Sequence, residues 1–473
     1  MDGGSCQKFR LSTATASNKS RPAKSGSIAE WKLARQSQAA LRQPIPRSLG
    51  DLIVDPNDML SRVGVMNPKA FWQWYHLPDR GDPRSSVWLS RADSLWGEAL
   101  WPYILQDELV LSTSIPIILE KAAAYTGRDY TKSKRVASFN AITSVRYNFT
   151  HPGACSFGGL AIALSGMTHL AIQKNDYPAA FSHLNAITRL LRVYQLEPTE
   201  WLCCAWSDLR TVSAVGESPR LPRSLPARWE RSLPLSIASL QSCQDLASRN
   251  VCACKQALGG QIPMAYAIFR RLHELQHALD VDQYANVTPM AEVYEATYEA
   301  CELHAIARIA GEASGATYQM ELIAIALKLC AWERCAKLIP RCGDIERRLV
   351  GRALEILIGN WPEAITEWKA SASIQVLLWV LLATTATAYA HVPEKWQSLL
   401  ALWRVVIATE NSTTWSSLRG SLKSWPSAHW WFTPVLKRIF EESSPSTSSW
   451  QVLDAEDTGR QPAGFLKCLV FGD

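Results

Sequence analysis

Apolar and polar positions between Cys155 and Pro222 follow the period of two amphipathic helices. Apolar residues recur at helical spacing in both halves of this stretch: Leu160, Leu164, Met167 and Ala171, then Phe181, Leu184, Leu191 and Tyr194. Asp176 can cap the second helix, and Pro178 suits its first turn because a proline there gives up only an N–H that has no helical partner. The pattern breaks only at residues 175–178. So short a connection between two amphipathic helices predicts an antiparallel hairpin.

The same periodicity predicts helices on both sides of the hairpin. The expected helical stretches are Trp101–Glu120, Ser133–Tyr147, 235–257, 261–281, 288–312, 316–338, Asp344–Gly359, Ala370–Ala390, Trp396–Thr409 and Arg419–Phe440. No run of alternating residues has the length of a strand. The pattern therefore predicts an all-α fold, an array of antiparallel helical hairpins that form one large helical domain over residues 48–440.

Proline and polar residues divide the chain. Four prolines and four arginines fall within residues 217–234, which predicts an internal linker or an extended surface segment, because proline at that density blocks helix propagation. Its arginines are interpreted as solvated, with binding to an acidic partner as the alternative. We expect residues 1–47 to form a disordered basic tail and residues 441–473 to be mostly disordered.

The formal net charge of the 473 residues is +6, and its placement matters more than its size. Residues 1–47 carry nine Lys/Arg against two acidic residues, a net charge of +7. The rest of the chain sums to −1, so its net charge does not predict nucleic-acid binding. A solvated tail is the simplest interpretation of residues 1–47, and a nuclear import signal or a nonspecific phosphate contact is the alternative.

Two apolar stretches have alternative interpretations. Residues 51–105 are rich in tryptophan, which favours helix packing over a platform for stacked bases, because few Lys/Arg residues lie between the aromatic residues.

The segment Ala370–Val392 has no charged residue and is as long as a membrane span. Serine, threonine, glutamine and histidine dilute it, so we expect a buried core helix and no membrane association.

The spacing of the twelve cysteines matches neither a disulfide framework nor a zinc site, since no CxxC pair occurs. The N-terminal twenty residues lack the apolar core of a secretory signal. We therefore expect reduced, mostly buried thiols in an intracellular protein that is not secreted, and no metal or other cofactor.

The most specific catalytic motif is the HELQH string at residues 273–277, on a predicted helix. Its two histidines share one face and could bind zinc while the glutamate polarises a water, with a third ligand from Glu292, Glu295 or Glu299. However, the apolar stripe of this helix is complete without the histidines, and Arg271 occupies a flank that metalloproteases keep uncharged. We therefore assign no catalytic, cofactor-binding or metal-binding residue and keep a zinc metalloprotease as the alternative.

Other signatures of catalysis are weaker. No nucleophile elbow, P-loop or dinucleotide-binding fingerprint occurs in the sequence. Asp208 could be an acid in a cleft, but an ion pair with a basic neighbour is the simpler interpretation.

Four pieces of sequence, in this order, resemble the regulatory region of fungal transcription factors, a large helical domain that usually follows a six-cysteine binuclear zinc cluster. The pieces are residues 48–56 (SLGDLIVDP), Trp101–Asp107, the hairpin with its exit through Trp206–Arg210 and Pro219–Pro222, and the segments Leu377–Val380 and Trp396–Leu418. The hairpin and its exit are the strongest match.

This resemblance implies an all-α transcriptional regulator in the nucleus, with the cytoplasm as the alternative location. It implies protein partners, either the transcriptional machinery or a second subunit in a homodimer or heterodimer, or the sensing of a small molecule. The zinc cluster itself does not occur in this sequence, so its DNA-reading residues map to no position here and direct DNA binding is not expected. The glycine pair that often follows the second hairpin helix is replaced by residues 193–195. A degenerate scaffold without retained activity is a further alternative.

Overall fold

The computed structural model describes residues 100, 103–104, 106–151, 155–223, 233, 235–280, 290–314, 318–335, 344–360, 366–368, 374–410, 415–426 and 432–443. Within these ranges the chain forms fourteen α-helices and no strand, so the predicted all-α fold is confirmed. The helices are α1 (Glu108–Thr126), α2 (Thr131–Thr150), α3 (Phe157–Gln173), α4 (Tyr177–Leu191), α5 (Pro198–Val215), α6 (Ile237–Leu258), α7 (Ile262–Asp280), α8 (Met290–Ser314), α9 (Tyr318–Cys335), α10 (Asp344–Gly359), α11 (Ile374–His391), α12 (Trp396–Glu410), α13 (Trp415–Leu422) and α14 (Phe432–Ser443).

The predicted hairpin is confirmed as α3 and α4. The Asp176 side chain accepts a hydrogen bond from the backbone N–H of Ala179 at 3.1 Å, and Pro178 lies in the first turn of α4. Asn175 has a φ of 57°, a left-handed conformation that asparagine adopts more readily than most residues. Local chemistry therefore sets where this turn occurs.

Neighbouring helices along the chain pack in pairs: α1 with α2, α3 with α4, α6 with α7, and α8 with α9. Each pair is joined by a short connection, which makes its two helices antiparallel. This arrangement is the array of helical hairpins that the hydrophobic pattern predicts.

Helix α3 is more deeply buried than its amphipathic pattern predicts. Its residues from Phe157 to Ile172 are buried with the exception of Gly166, because α1, α2, α4 and α5 pack around it. Two of its polar side chains, Ser165 and Thr168, donate hydrogen bonds to carbonyls one turn earlier at 3.0 and 2.9 Å, and His169 lies 2.8 Å from the Arg210 guanidinium of α5. The helix is therefore a central element of the fold.

Helix α11 is the second central element and confirms the expected core helix. Every residue from Val376 to Ala388 is buried, and α9, α10, α12 and α14 pack around it. Among the helices that the structure describes, none combines the length and apolar character needed to cross a membrane.

The prediction of one continuous helix over Arg419–Phe440 is wrong. Helix α13 ends at Leu422, and α14 begins at Phe432. Proline disfavours helical backbone in the residue before it, and Trp425 precedes a proline. The Trp425 ring stacks on Trp379 of α11, with ring centroids 5.0 Å apart, so the turn places an indole in the core.

Helix α1 also differs from its prediction, since it runs from Glu108 to Thr126 and not from Trp101 to Glu120. Its start is set by Asp107, which accepts a hydrogen bond from the backbone N–H of Leu109 at 2.9 Å. Gly127, with a φ of 65°, ends the helix.

Several predicted segments lie wholly or largely outside the described residues. They include the basic tail 1–47, most of the tryptophan-rich stretch 51–105 and residues 224–232 of the linker. Of the segment 441–473, only residues 441–443 are described, and they belong to α14.

Candidate functional site

Helix α5 takes part in two buried polar centres, one near its middle and one near its C-terminal end. The first is Asp208, which is 1% exposed. Its Oδ2 accepts the backbone N–H of Arg220 at 2.7 Å and that of Leu221 at 2.8 Å. The carboxylate therefore binds backbone where an ion pair with a basic side chain was expected.

Through these bonds Asp208 fixes the described start of the linker, residues 217–223, which we call the strap. Leu221 is 1% exposed, and its carbonyl accepts a hydrogen bond from the Tyr298 hydroxyl of α8 at 3.3 Å. The strap is thus tied to both α5 and α8. Residues 217–223 are not helical, and most of them are exposed.

Burial raises the pKa of Asp208 to about 6, although the N–H groups of Leu221 and Arg220 and the charge of Arg220 act in the opposite direction. Its second oxygen, Oδ1, is buried without a hydrogen-bond partner among the described residues. Desolvation therefore dominates, and this carboxyl changes protonation close to neutral pH.

The strap arginines contact the protein itself. The Arg220 guanidinium lies 3.8 Å from the centroid of the Phe181 ring and donates to Asn185 Oδ1 at 3.0 Å. Arg223 pairs with Glu295 and, at 2.7 Å, with Glu299 of α8. Arg220 also pairs with Glu217 of the strap, at 3.2 Å. Both arginines remain exposed, as the sequence interpretation expects, but their charged groups are paired within this chain, and the acidic partners of Arg223 lie on α8.

The second polar centre is Lys328 of α9, which is fully buried. Its Nζ donates to the carbonyl of Ser213 in α5 at 3.1 Å and to Nδ1 of His304 in α8 at 2.7 Å. Burial lowers the pKa of Lys328 to about 8. This one side chain therefore joins three helices.

A row of polar groups leads from Lys328 to the surface. His304 accepts from Lys328 through Nδ1, so its Nε2 carries the proton and faces Glu321 Oε1 at 3.6 Å. Glu321 in turn accepts two hydrogen bonds from Arg352 of α10, at 2.8 and 3.1 Å. We call these four residues the buried relay.

Glu321 is the anion of the relay and lies between the His304 imidazole and the Arg352 guanidinium. Burial and the charge of Lys328 lower the pKa of His304 to about 3, so the imidazole is neutral. Burial alone would raise the pKa of Glu321, but the nearby His304 imidazole and the two hydrogen bonds from Arg352 lower it to about 2. The arrangement fixes α5, α8, α9 and α10 against each other.

Ser213 connects the relay to an aromatic and thiol environment. Its hydroxyl accepts a hydrogen bond from the Trp332 indole at 2.9 Å and lies 3.0 Å from the Cys301 sulfur. Burial raises the pKa of the Cys301 thiol, which is therefore protonated. Eight cysteines of the described ranges are free thiols, and six of these eight are buried, which agrees with the predicted reduced state.

The structure places the HELQH string on α7 with its first histidine in the core. Nε2 of His273 lies 2.7 Å from Oδ1 of Asn250, and Nδ2 of Asn250 donates to the Ser424 carbonyl at 3.1 Å. The Oδ1 atom is an acceptor, so this imidazole nitrogen donates and has no lone pair for a metal. Glu274 pairs with Arg270 at 3.4 Å.

The three suggested third ligands have other partners. Glu292 accepts the backbone N–H of Leu233 at 3.1 Å, and Glu295 and Glu299 both pair with Arg223 and Arg271. In the ranges covered by the structure, no three His, Cys, Asp or Glu side chains are grouped to hold a metal ion.

Several residues of the sequence pieces that resemble the fungal family hold the fold together. Asp107 caps α1, and the Trp379 indole of α11 donates to the Pro426 carbonyl at 3.2 Å. The Trp403 indole of α12 donates to the Thr385 hydroxyl at 2.9 Å. Residues 48–56 lie outside the described residues.

Sequence reasoning missed the buried relay. One signal was present, because Lys328 is the only charged residue in the apolar run 322–332 (LIAIALKLCAW). A lone cation inside such a run indicates a buried charge that needs partners. Its partners lie on other helices, so the run alone does not identify them.

No family model, no curated protein and no solved structure matches this chain.

Proposed function

We propose that this chain is a regulatory protein of the fungal transcription-factor type that acts in the nucleus through protein–protein contacts or ligand sensing, without a zinc cluster in this chain. The support is the order of the four sequence pieces together with an all-α body of packed helix pairs. Sequence specificity on DNA would then come from a protein partner.

The observation that carries the proposal is the contact between the two halves of the strongest sequence match. Trp206–Arg210 and Pro219–Pro222 are joined because Asp208 accepts hydrogen bonds from Arg220 and Leu221. The two segments form one structural unit, which gives a physical reason for their occurrence together in a resemblance of this kind.

The distribution of charge supports a scaffold role over direct DNA reading. The residues after the tail have a net charge of −1, which provides no electrostatic attraction to a phosphate backbone. The tail, with a net charge of +7, is suited to nuclear import or to weak phosphate contact.

A tethering experiment tests the proposal. The full chain is fused to a heterologous DNA-binding domain, and transcription of a reporter with the matching site is measured in fungal cells. We expect a change of at least about fivefold relative to the DNA-binding domain alone. An unchanged reporter, with the fusion folded and present in the nucleus, would contradict a regulatory role.

A binding experiment tests the dependence on a partner for DNA recognition. The purified full chain is titrated with promoter DNA and with random DNA at physiological salt. We expect only weak binding that does not distinguish the two and declines steeply with salt. Specific nanomolar binding by the chain alone would contradict this part of the proposal.

A further inference from the structure

Helix α2 has a face that no described residue covers. Its buried face consists of Ala137, Ala141 and Val145 and packs on α1 and α3. On the opposite face Val136 is 50% exposed and Phe139 is 70% exposed. Tyr147 is 56% exposed and stacks on His151, with ring centroids 4.2 Å apart.

This face is both apolar and cationic. Lys132, Arg135 and Arg146 are exposed beside the apolar side chains, and α2 contains no acidic residue. Lys134 pairs with Glu120 of α1, whereas none of the other three cations lies within ion-pair distance of a carboxylate that the structure describes. The exposed Asp129 precedes α2, and its pKa is lowered by hydrogen bonds from Thr131 and by the charges of Arg135 and Lys134.

Three of the seven large hydrophobic residues that are exposed in the described ranges lie on α2, and the other four are spread singly over α6, α8, α10 and α12. Single exposed apolar residues are common on protein surfaces, whereas grouped ones flanked by charges mark contact sites. The α2 face therefore needs an occupant that is apolar and acidic.

The chain contains a segment of this composition. Residues 51–60 (DLIVDPNDML) combine three aspartates with five apolar residues and include no Lys or Arg. Its charge is thus opposite to that of the α2 face. Residues 51–60 could make apolar contacts with Phe139 and ion pairs with the flanking cations at the same time.

The chain can also reach this face. Leu100, at the start of the described residues, packs against a buried cluster to which α2 contributes Ala137, so the preceding chain begins in the part of the molecule that contains this helix. About 40 residues separate the segment from Leu100 and span up to about 130 Å when extended, whereas the 20 residues of α2 cover about 30 Å. The connection is therefore long enough for docking at any point of α2.

We propose that residues 51–60 dock on the exposed face of α2 within the same chain and cover Val136 and Phe139. This contact is independent of the proposed function.

Site-specific photocrosslinking in the full chain tests the proposal. Phe139 is replaced by p-benzoylphenylalanine, the protein is irradiated as an equal mixture of ¹⁴N- and ¹⁵N-labelled chains, and crosslinked peptides are identified by mass spectrometry. We expect crosslinks to residues 51–60 with both peptides of the same isotope. The same probe at Ile309, which is 66% exposed on α8, should give no crosslink to that segment.

Charge dependence gives a second measurement. In a variant with Asp51→Asn, Asp55→Asn and Asp58→Asn we expect the crosslink yield to fall at least about threefold, with an unchanged circular dichroism spectrum. Crosslinks of mixed isotope would assign the face to a second copy and overturn the proposal. Crosslinks only to other residues, no crosslink, or a yield that the aspartate variant does not change would overturn it as well.

Discussion

The Asp208 carboxylate accepts the backbone N–H of Leu221 at 2.8 Å and so joins α5 to the strap thirteen positions further along the chain. Both residues are 1% exposed, so water cannot replace this bond while the strap stays in place. The contact links the exit of the central hairpin to α8, because the Leu221 carbonyl accepts the Tyr298 hydroxyl.

We expect Asp208→Ala to loosen the strap. Two backbone N–H groups lose their acceptor, and an unpaired buried donor costs about 1–3 kcal/mol. Urea unfolding should show a free energy of unfolding lowered by that amount, and trypsin should cleave after Arg220 or Arg223 at least about fivefold faster. Asp245 is exposed on α6, and Asp245→Ala is the matched control, for which we expect a change in the free energy of unfolding within about 0.5 kcal/mol. Equal behaviour of the two variants would contradict the role of Asp208.

The stability of the protein should depend on pH through Asp208. Its pKa is about 6 when folded, above the ordinary value of 3.8, so the folded state binds more protons than the unfolded state between these values. Stability from this group therefore rises as the pH falls from about 6 to about 4. Relative to Asp208→Asn, the free energy of unfolding of the wild type should increase by about 1–3 kcal/mol between pH 7 and pH 4. A constant difference over this range would show that the carboxyl is not desolvated.

Two glycines with positive φ provide a matched pair of substitutions. Gly216 has a φ of 70°, and a Cβ there would lie 2.6 Å from Cδ of Arg308; Gly127 has a φ of 65° with open space around it. Gly127→Ala should lower the free energy of unfolding by about 1 kcal/mol through backbone strain alone. Gly216→Ala should cost about 2–3 kcal/mol because Arg308 must also move. Thermal and urea unfolding of both variants measure the difference, and equal losses would show that Arg308 does not constrain this turn.

The buried relay should be sensitive to the charge of Glu321. Glu321→Gln removes the negative charge between His304 and Arg352, and we expect a loss of about 1–3 kcal/mol at pH 7. The pKa of Glu321 is lowered to about 2, so its stabilisation is complete above about pH 4.5 and declines as the pH falls towards 2. The difference between variant and wild type should therefore shrink in acid.

Glu355→Gln is the matched control for this variant. Glu355 also pairs with Arg352, at 3.6 Å, but its side chain is 71% exposed. We expect Glu355→Gln to change the free energy of unfolding by no more than about 0.5 kcal/mol. If both substitutions cost the same, burial of Glu321 is not what makes the relay stabilising.

Metal analysis distinguishes the structural role of His273 from a zinc site. We expect purified protein to contain less than about 0.1 zinc per chain. His273→Ala should lower the free energy of unfolding by about 2–4 kcal/mol, because it leaves a cavity and removes the contact to Asn250. His277→Ala, on the less buried part of α7, should cost less. One zinc per chain that disappears in His273→Ala would support the metalloprotease alternative.

Much of the helical structure was predictable because its causes are local. Asp176 and Pro178 mark the start of α4 through capping and the first-turn preference of proline, which depend only on neighbouring residues. The apolar, uncharged run of α11 similarly indicates a core helix. The break at Trp425 was missed because apolar periodicity continues through it, and only the stacking on Trp379 places the turn.

The sequence by itself therefore determined the all-α class, the hairpin of α3 and α4 and the burial of α11, since hydrophobic period and caps act over a few residues. The tertiary structure alone decided the partners of the buried charges. Asp208 meets Leu221 thirteen residues later, and Lys328 meets Ser213 from 115 residues away. A buried charge takes whichever partner the packing of helices brings close, and no local pattern encodes that choice.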